Sequence, residues 1–220
     1  NQKGLVDRNN NPKDAFYVFK SYWNDTSPFT YIESHTWTER QGPKGLKRSV
    51  SVYSNCPEVE LFLNEKSVGV KKRNINDFPA AGLNWDIDLK DGKNTLLALG
   101  KTKTGDVVKD ELNVNYRFVK NGKAKSLTLE YNQLKNGKYL VTATALDKNG
   151  LRALDFEERV YFQCLSGGET QKAMGTPTGS EVIEMANGKA SIEVVRTSKN
   201  IPLKMMVLSQ DFKGTYLTIK

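Results

Sequence analysis

The feature that most constrains this chain is a change of hydrophobic period near residue 29, from 3.6 residues to 2, which then persists to the C-terminus. Val50 and Val52 alternate with Ser49, Ser51 and Tyr53; Val59, Leu61 and Leu63 alternate with Glu58, Glu60, Phe62 and Asn64. Runs over 67–71, 83–89, 94–100 and 107–116 read the same way. Successive side chains of a strand point to opposite faces, so each run offers one apolar row to a core. Tight reversals are predicted at Asn64-Glu65-Lys66, Asp91-Gly92 and Thr104-Gly105-Asp106. A polar stretch, Lys120-Asn121-Gly122-Lys123-Ala124-Lys125, then interrupts the pattern as a linker. Beyond it Leu127, Leu129 and Tyr131 share a face, as do Val141, Ala143 and Ala145, and Val160, Phe162 and Cys164. Ala190, Ile192 and Val194 form another set, and Thr215, Leu217 and Ile219 the last. Asn136-Gly137, Asn149-Gly150 and Asn187-Gly188 mark the turns. About seven strands in each half give an all-β chain of two immunoglobulin-like antiparallel β-sandwich domains in tandem.

One helix precedes them. Asn11 suits its N-cap and Pro12 its first turn, and Ala15, Phe16, Val18, Phe19, Tyr22 and Trp23 form its apolar side. So short a helix is unstable alone in water and needs a partner surface, which the residues before it do not offer. The expected organisation is residues 1–26 carrying the helix, 27–118 the first sandwich, 119–125 the linker and 126–220 the second sandwich.

The formal net charge of +8 raises nucleic-acid binding, but the cations are scattered. The one tight run, Lys71-Lys72-Arg73, reads as a solvated strand end, so no nucleic-acid partner is expected. No apolar run approaches the roughly 20 residues that span a bilayer, so no membrane partner is expected either. Cys56 and Cys164 fall in different halves and make no disulfide framework; Cys164 reads as a small buried hydrophobe and Cys56, before Pro57, as a turn residue. With His35 the single histidine, no metal-ligand spacing exists, and neither metal nor cofactor is expected. Asp86, Asp88, Glu58 and Glu60 alternate with apolar neighbours and read as solvent-facing rather than as a catalytic pair. His35 belongs to no catalytic motif and reads as a loop or packing residue, and Gly167-Gly168 opens no helix that would cradle phosphate. No catalytic residue is assigned. Aromatic residues are the remaining candidates: Trp37, Tyr53, Phe62, Trp85 and Tyr161 either point outward, to stack on sugar or fill an interface, or belong to the core. Phe62 is the most suggestive, because Leu61 and Leu63 claim the buried face. Phe62, Trp37 and Tyr53 are therefore carried forward as glycan or interface contacts.

These residues resemble a known family. The opening Gly4-Leu5-Val6-Asp7-Arg8-Asn9-Asn10-Asn11-Pro12-Lys13, running into Phe16-Tyr17-Val18-Phe19-Lys20-Ser21-Tyr22-Trp23, resembles the last loop and helix of the (β/α)8 barrel of glycoside hydrolase family 2. His35-Thr36-Trp37, Val52-Tyr53-Ser54-Asn55-Cys56, Glu58 to Asn64, Lys66 to Arg73 and Phe78 to Trp85 resemble the sandwich that follows in its β-galactosidases. Ala145-Leu146-Asp147, Asn149-Gly150 and Gly175-Thr176-Pro177-Thr178-Gly179-Ser180 are similar to the last sandwich. The resemblance implies a helix left over from an upstream barrel, with Phe16, Phe19, Tyr22 and Trp23 as its barrel-packing side chains. It implies a parent that hydrolyses terminal β-galactosides or related sugars with retention, using two glutamates that no residue here matches. The expected role is non-catalytic: bracing the barrel in the same chain, shaping the active-site mouth or supplying a homo-oligomer interface. The alternative is a carbohydrate-binding module. The chain starts without Met or a signal-peptide pattern, so it is expected to be part of a longer protein whose export signal lies upstream. Through the resemblance, that protein is expected in the periplasm or outside the cell.

Overall fold

The chain divides between Lys120 and Asn121 into two units. The structure, a computed structural model, describes residues 4–7, 10–79, 81–171 and 181–220. Arg8, Asn9, Ala80 and the Gly175–Ser180 motif lie outside the described residues.

The N-terminal unit opens with α1 (Asp14–Trp23) and continues with β1 (Thr30–Ile32), β2 (Glu39–Gln41), β3 (Arg48–Ser54) and β4 (Glu58–Leu63). It is completed by β5 (Lys66–Lys72), β6 (Asn84–Ile87), β7 (Gly92–Lys101) and β8 (Val107–Arg117). One sheet has the order β1-β3-β6 and the other β2-β8-β7-β4-β5. All pairings are antiparallel except β2 with β8. The predicted alternation is present: Val50, Val52, Val59, Leu61, Trp85, Ile87, Leu96, Ala98, Leu112 and Val114 fill the core, and Asp86 and Asp88 face solvent. The Asn64-Glu65 turn places both residues at positive φ (50° and 68°), as a tight two-residue reversal between β4 and β5 requires.

The C-terminal unit comprises β9 (Ala124–Gln133), β10 (Lys138–Asp147), β11 (Arg159–Ser166), β12 (Gly168–Thr170), β13 (Val182–Glu184), β14 (Lys189–Arg196), β15 (Leu203–Leu208) and β16 (Thr215–Ile219). Its sheets run β12-β14-β10-β9 and β13-β11-β15-β16, all antiparallel. Val141, Ala143, Val160, Phe162, Ile192, Val194, Met205 and Val207 form the core. At Gly188 φ is +67° and a Cβ would fall 2.2 Å from the Ala153 carbonyl oxygen, so this turn requires glycine. Each unit thus has eight strands among the described residues rather than about seven. The additions, such as β2 and β13, have three residues each, too few to show a period.

Three expectations change. The helix begins at Asp14, with Lys13 at the N-cap and no side-chain cap. Asn11 instead pairs with the Asp7 carboxylate, its backbone N–H donating at 2.8 Å and its amide Nδ2 at 2.9 Å. Nor does the helix lack a partner: α1 packs on β3, with Val18 in the core and Tyr17 and Tyr22 against it. Finally, the stretch 119–125 is only partly a linker. Ala124 and Lys125 already pair within β9, and Asn121 and Gly122 are tied to the C-terminal unit. The Asn121 amide donates to Asp155 Oδ1 at 2.6 Å and accepts from Leu154 N at 3.1 Å. Asp147, buried at the end of β10, accepts three backbone N–H groups, from Gly122 (2.8 Å), Asn149 (2.8 Å) and Leu151 (2.9 Å). Both cysteines are free thiols; Cys56 is buried, and Cys164 is only partly so, its thiol held above its usual pKa chiefly by burial.

Removing the Asp147 carboxylate leaves three backbone donors unpaired, so Asp147→Ala is expected to cost the C-terminal unit about 2–4 kcal/mol. All three tryptophans (Trp23, Trp37 and Trp85) lie in the N-terminal unit. In urea, the far-UV circular dichroism midpoint should fall while the tryptophan fluorescence midpoint stays in place.

Candidate functional site

The densest set of polar side chains gathers where α1 meets the first sandwich. Asp14, in the first turn of the helix, accepts the Tyr31 hydroxyl at Oδ1 (2.7 Å) and the Ser34 backbone N–H at Oδ2 (3.1 Å). From β8, Asp110 Oδ2 accepts the Ile32 N–H at 2.7 Å and lies 2.7 Å from His35 Nε2. Tyr31 stands between them, stacked on Tyr17 (centroids 3.6 Å apart, planes 6° apart) and on the His35 ring (4.7 Å, 22°). Tyr53 donates to Glu33 Oε1 at 2.7 Å. Burial first, and then hydrogen bonding to the Asp14 carboxylate, raises the Tyr31 pKa; burial and Glu33 raise that of Tyr53. Both carboxylates are occupied by backbone N–H groups, tyrosine or histidine, so the cluster has the chemistry of a clamp rather than of an acid–base pair. Asp14 and Asp110 are the residues that sequence reasoning missed. Their partners lie 17 to 78 residues away, and no local spacing signals them.

The sequence-predicted aromatic residues separate. Tyr53 is only 2% exposed and cannot meet a ligand face-on. Its strand loses alternation at Val52-Tyr53-Ser54, all buried, because α1 covers the second face of that sheet. Trp85 is buried and donates from Nε1 to the Gly69 carbonyl at 3.1 Å. Phe62 and Tyr161 are half-buried. Trp37 alone of this group stands out, with 52% of its surface exposed.

The four helix residues do not share one face. Tyr22 turns toward its own sandwich, where its hydroxyl donates to the Asp77 carbonyl and its ring stacks on Phe78 at 6.1 Å. Phe16 is half-buried, edge-on to Tyr17 at 5.4 Å. Phe19 and Trp23, four residues apart and therefore on the same side of the helix, pack on each other at 4.8 Å while remaining 38% and 74% exposed. Phe78 (78%) and Ile75 add exposed apolar surface on the loop between β5 and β6.

Beside Trp37 the Arg40 guanidinium is held in place, and Arg48 is held on the next strand in sequence. Arg40 Nε donates to the Trp37 carbonyl at 2.9 Å, with the guanidinium 5.9 Å from that residue's ring. Arg48 donates from Nε to the Tyr116 hydroxyl (3.2 Å) and from Nη2 to the Gln41 carbonyl (2.8 Å). Among the described residues no cluster of three or more His, Cys, Asp or Glu could hold a metal, and no helix is long and apolar enough to cross a membrane.

Comparison with known proteins places these features. Residues 45–109 match a family model described as "Domain of unknown function (DUF4982)". The chain is 74% identical over its full length to a putative beta-glucuronidase of Formosa agariphila, of which it covers 27%. It is 28% identical over 170 residues, 75% of its length, to the beta-galactosidase BoGH2A of Bacteroides ovatus, covering 18% of that protein. The crystal structure of Parabacteroides merdae beta-glucuronidase superposes on the whole chain with a TM-score of 0.89 at 36% identity, and 27% of that structure is covered. The chain therefore spans about a quarter of the length of the first two of these β-glucuronidases.

The tyrosine hydroxyls of the clamp set a pH dependence. Their folded pKa values lie above the ordinary 10.0, so the stability they give is complete below about pH 10 and is lost as pH rises beyond it. Calorimetry between pH 8 and about 11 should show the N-terminal unit's Tm falling above pH 10, with a shallower fall in a Tyr31→Phe, Tyr53→Phe double variant.

Proposed function

From a chain that matches the C-terminal portions of glycoside hydrolase family 2 β-glucuronidases, we infer a non-catalytic region that braces an upstream catalytic domain of the same polypeptide. The whole protein, on this reading, hydrolyses β-glucuronides with retention. The observation that carries the bracing role is the two-sided helix. Val18, Tyr17 and Tyr22 dock α1 on the sandwich, while Phe19 and Trp23 point away from it. An exposed tryptophan packed on a phenylalanine is costly in water and favourable against a second apolar surface.

The glucuronide reading replaces the β-galactoside expected from the sequence motifs. The relatives at 74% and 36% identity carry β-glucuronidase names, and the β-galactosidase matches at 28%. In this chain Asp14 and Asp110 are taken up by the clamp, Asp147 by three backbone N–H groups, and Asp86 and Asp88 face solvent, so the two catalytic carboxyls would come from the upstream domain.

Two measurements on the full-length protein test this. Turnover of 4-nitrophenyl β-D-glucuronide should exceed that of the β-D-galactoside by at least about tenfold, because a site built for a carboxylate leaves buried donors unpaired with a neutral sugar. A galactoside preference would sink the substrate reading. Phe19→Asp with Trp23→Asp should lower the Tm and activity of the full-length protein, yet shift the 220-residue chain by only a few tenths of a kcal/mol. Equal stability of parent and variant in the full-length protein would rule out bracing through this face.

A further inference from the structure

We propose that Trp37, Arg40 and Arg48 form a binding subsite for an acidic pyranose, a sugar whose ring stacks on the indole while its carboxylate pairs with the two guanidinium groups. Three observations carry this. First, the indole is exposed but not loose. The Trp37 backbone N–H donates to Ser34 O at 2.9 Å, its backbone carbonyl is held by Arg40, and the loop is tied to β8 by the contact between His35 and Asp110. Little ordering cost is left for a ligand to meet.

Second, the two guanidinium groups come from neighbouring positions, Arg48 Nη2 donating to the carbonyl of Gln41, the residue that follows Arg40. Burial lowers the Arg40 pKa, Glu33 opposes the shift, and the charge of Arg48 adds a smaller lowering. Among the described residues neither arginine makes an ion pair within 4 Å, and Glu33 Oε1 already accepts the Tyr53 hydroxyl. A guanidinium partly out of water, with no ion-pair partner within reach, costs energy that a bound anion would offset.

Third, the donors left over suit a carboxylate. Arg40 spends Nε on Trp37 O, which leaves both Nη groups as a fork; Arg48 spends Nε and Nη2 and keeps Nη1. A planar fork pairs two-pronged with a carboxylate, beside an aromatic face for the ring. Gly42 makes room for this arrangement, since a Cβ there would fall 2.3 Å from both Arg48 Nη2 and the Tyr116 hydroxyl. The choice of a uronic acid over another acidic sugar rests on the glucuronide reading above; the preference for an anionic over a neutral sugar does not.

The test is a binding measurement on the 220-residue chain, which is independent of turnover by the full-length protein. With tryptophan labelled by 15N in the indole ring, the three indole N–H resonances are followed during titration with methyl β-D-glucuronide, methyl β-D-glucoside and inorganic phosphate. The glucuronide should shift the Trp37 resonance saturably, and the glucoside at least about tenfold more weakly. Arg40→Gln and Arg48→Gln should each weaken the glucuronide about tenfold, and in Trp37→Ala, which lacks the reporter, calorimetry should find no glucuronide binding. The Trp85 resonance, reporting the bond to Gly69, should keep its position and so show that each variant is folded. Equal affinity for the neutral glucoside, or unchanged affinity in folded Arg40→Gln, would overturn the proposal. So would phosphate binding with no glucuronide shift at Trp37, which would mark a simple anion site.

Discussion

Along β7 the residues Asn94, Leu96, Ala98 and Gly100 are buried while those between them are more exposed, and this alternation fixes the register of the five-stranded sheet. A slip of one residue against β4 or β8 would turn Leu96 and Ala98 outward and bring Thr95 and Leu97 in. Burial of each large apolar side chain is worth about 1.5–3 kcal/mol, so the paired rows of β4, β7 and β8 resist such a slip together. Asn94 adds a polar lock. Its amide donates to the Lys90 and Gly92 carbonyls and its oxygen accepts the Lys90 N–H, which closes the turn into β7. Once β8 is fixed, Asp110 is aimed at β1 and at His35, and the clamp follows.

That clamp explains why a ten-residue helix is stable on this sandwich. The Asp14 carboxylate lies at the positive end of the helix dipole while accepting Tyr31 and Ser34, so one group serves both the helix terminus and its docking. At the other end Arg73 donates to the Ser21 carbonyl and lies 6.0 Å from the Tyr22 ring, which favours a cation near the carbonyl terminus. Anchored at both ends, α1 presents Phe19 and Trp23 in a fixed orientation. A rigidly presented apolar pair suits a stable contact within one polypeptide better than a transient one.

The same clamp positions the loop that carries Trp37, so bracing and sugar binding share one support. His35, which sequence reasoning set aside as a packing residue, is part of that support: stacked on Tyr31 and facing Asp110, it holds the segment leading to Trp37. The aromatic most suggestive in the sequence, Phe62, is half-buried on β4, and Tyr53 is lost to the core. Selection by alternation alone assumes that one face of a sheet meets water. That assumption fails at β3, which a helix covers.

The sequence by itself determined the all-β class, the turns at Asn64-Glu65, Asn136-Gly137 and Asn187-Gly188, and most of both cores. Period and turn chemistry are local properties, and each is written within a few residues. The resemblance to glycoside hydrolase family 2 was also legible, because its motifs are contiguous. Only the tertiary structure decided which aromatics are exposed and that Asn121 and Gly122 are bound into the second unit. It alone split the apolar helix into a docked side and a free side. It also brought Asp14, Tyr31, His35 and Asp110 together across almost a hundred residues, and set Arg48 against the Gln41 carbonyl, next to the Arg40 that flanks Trp37. Those outcomes depend on which surfaces meet after the chain has folded, and the meeting of distant strands leaves no mark in local spacing.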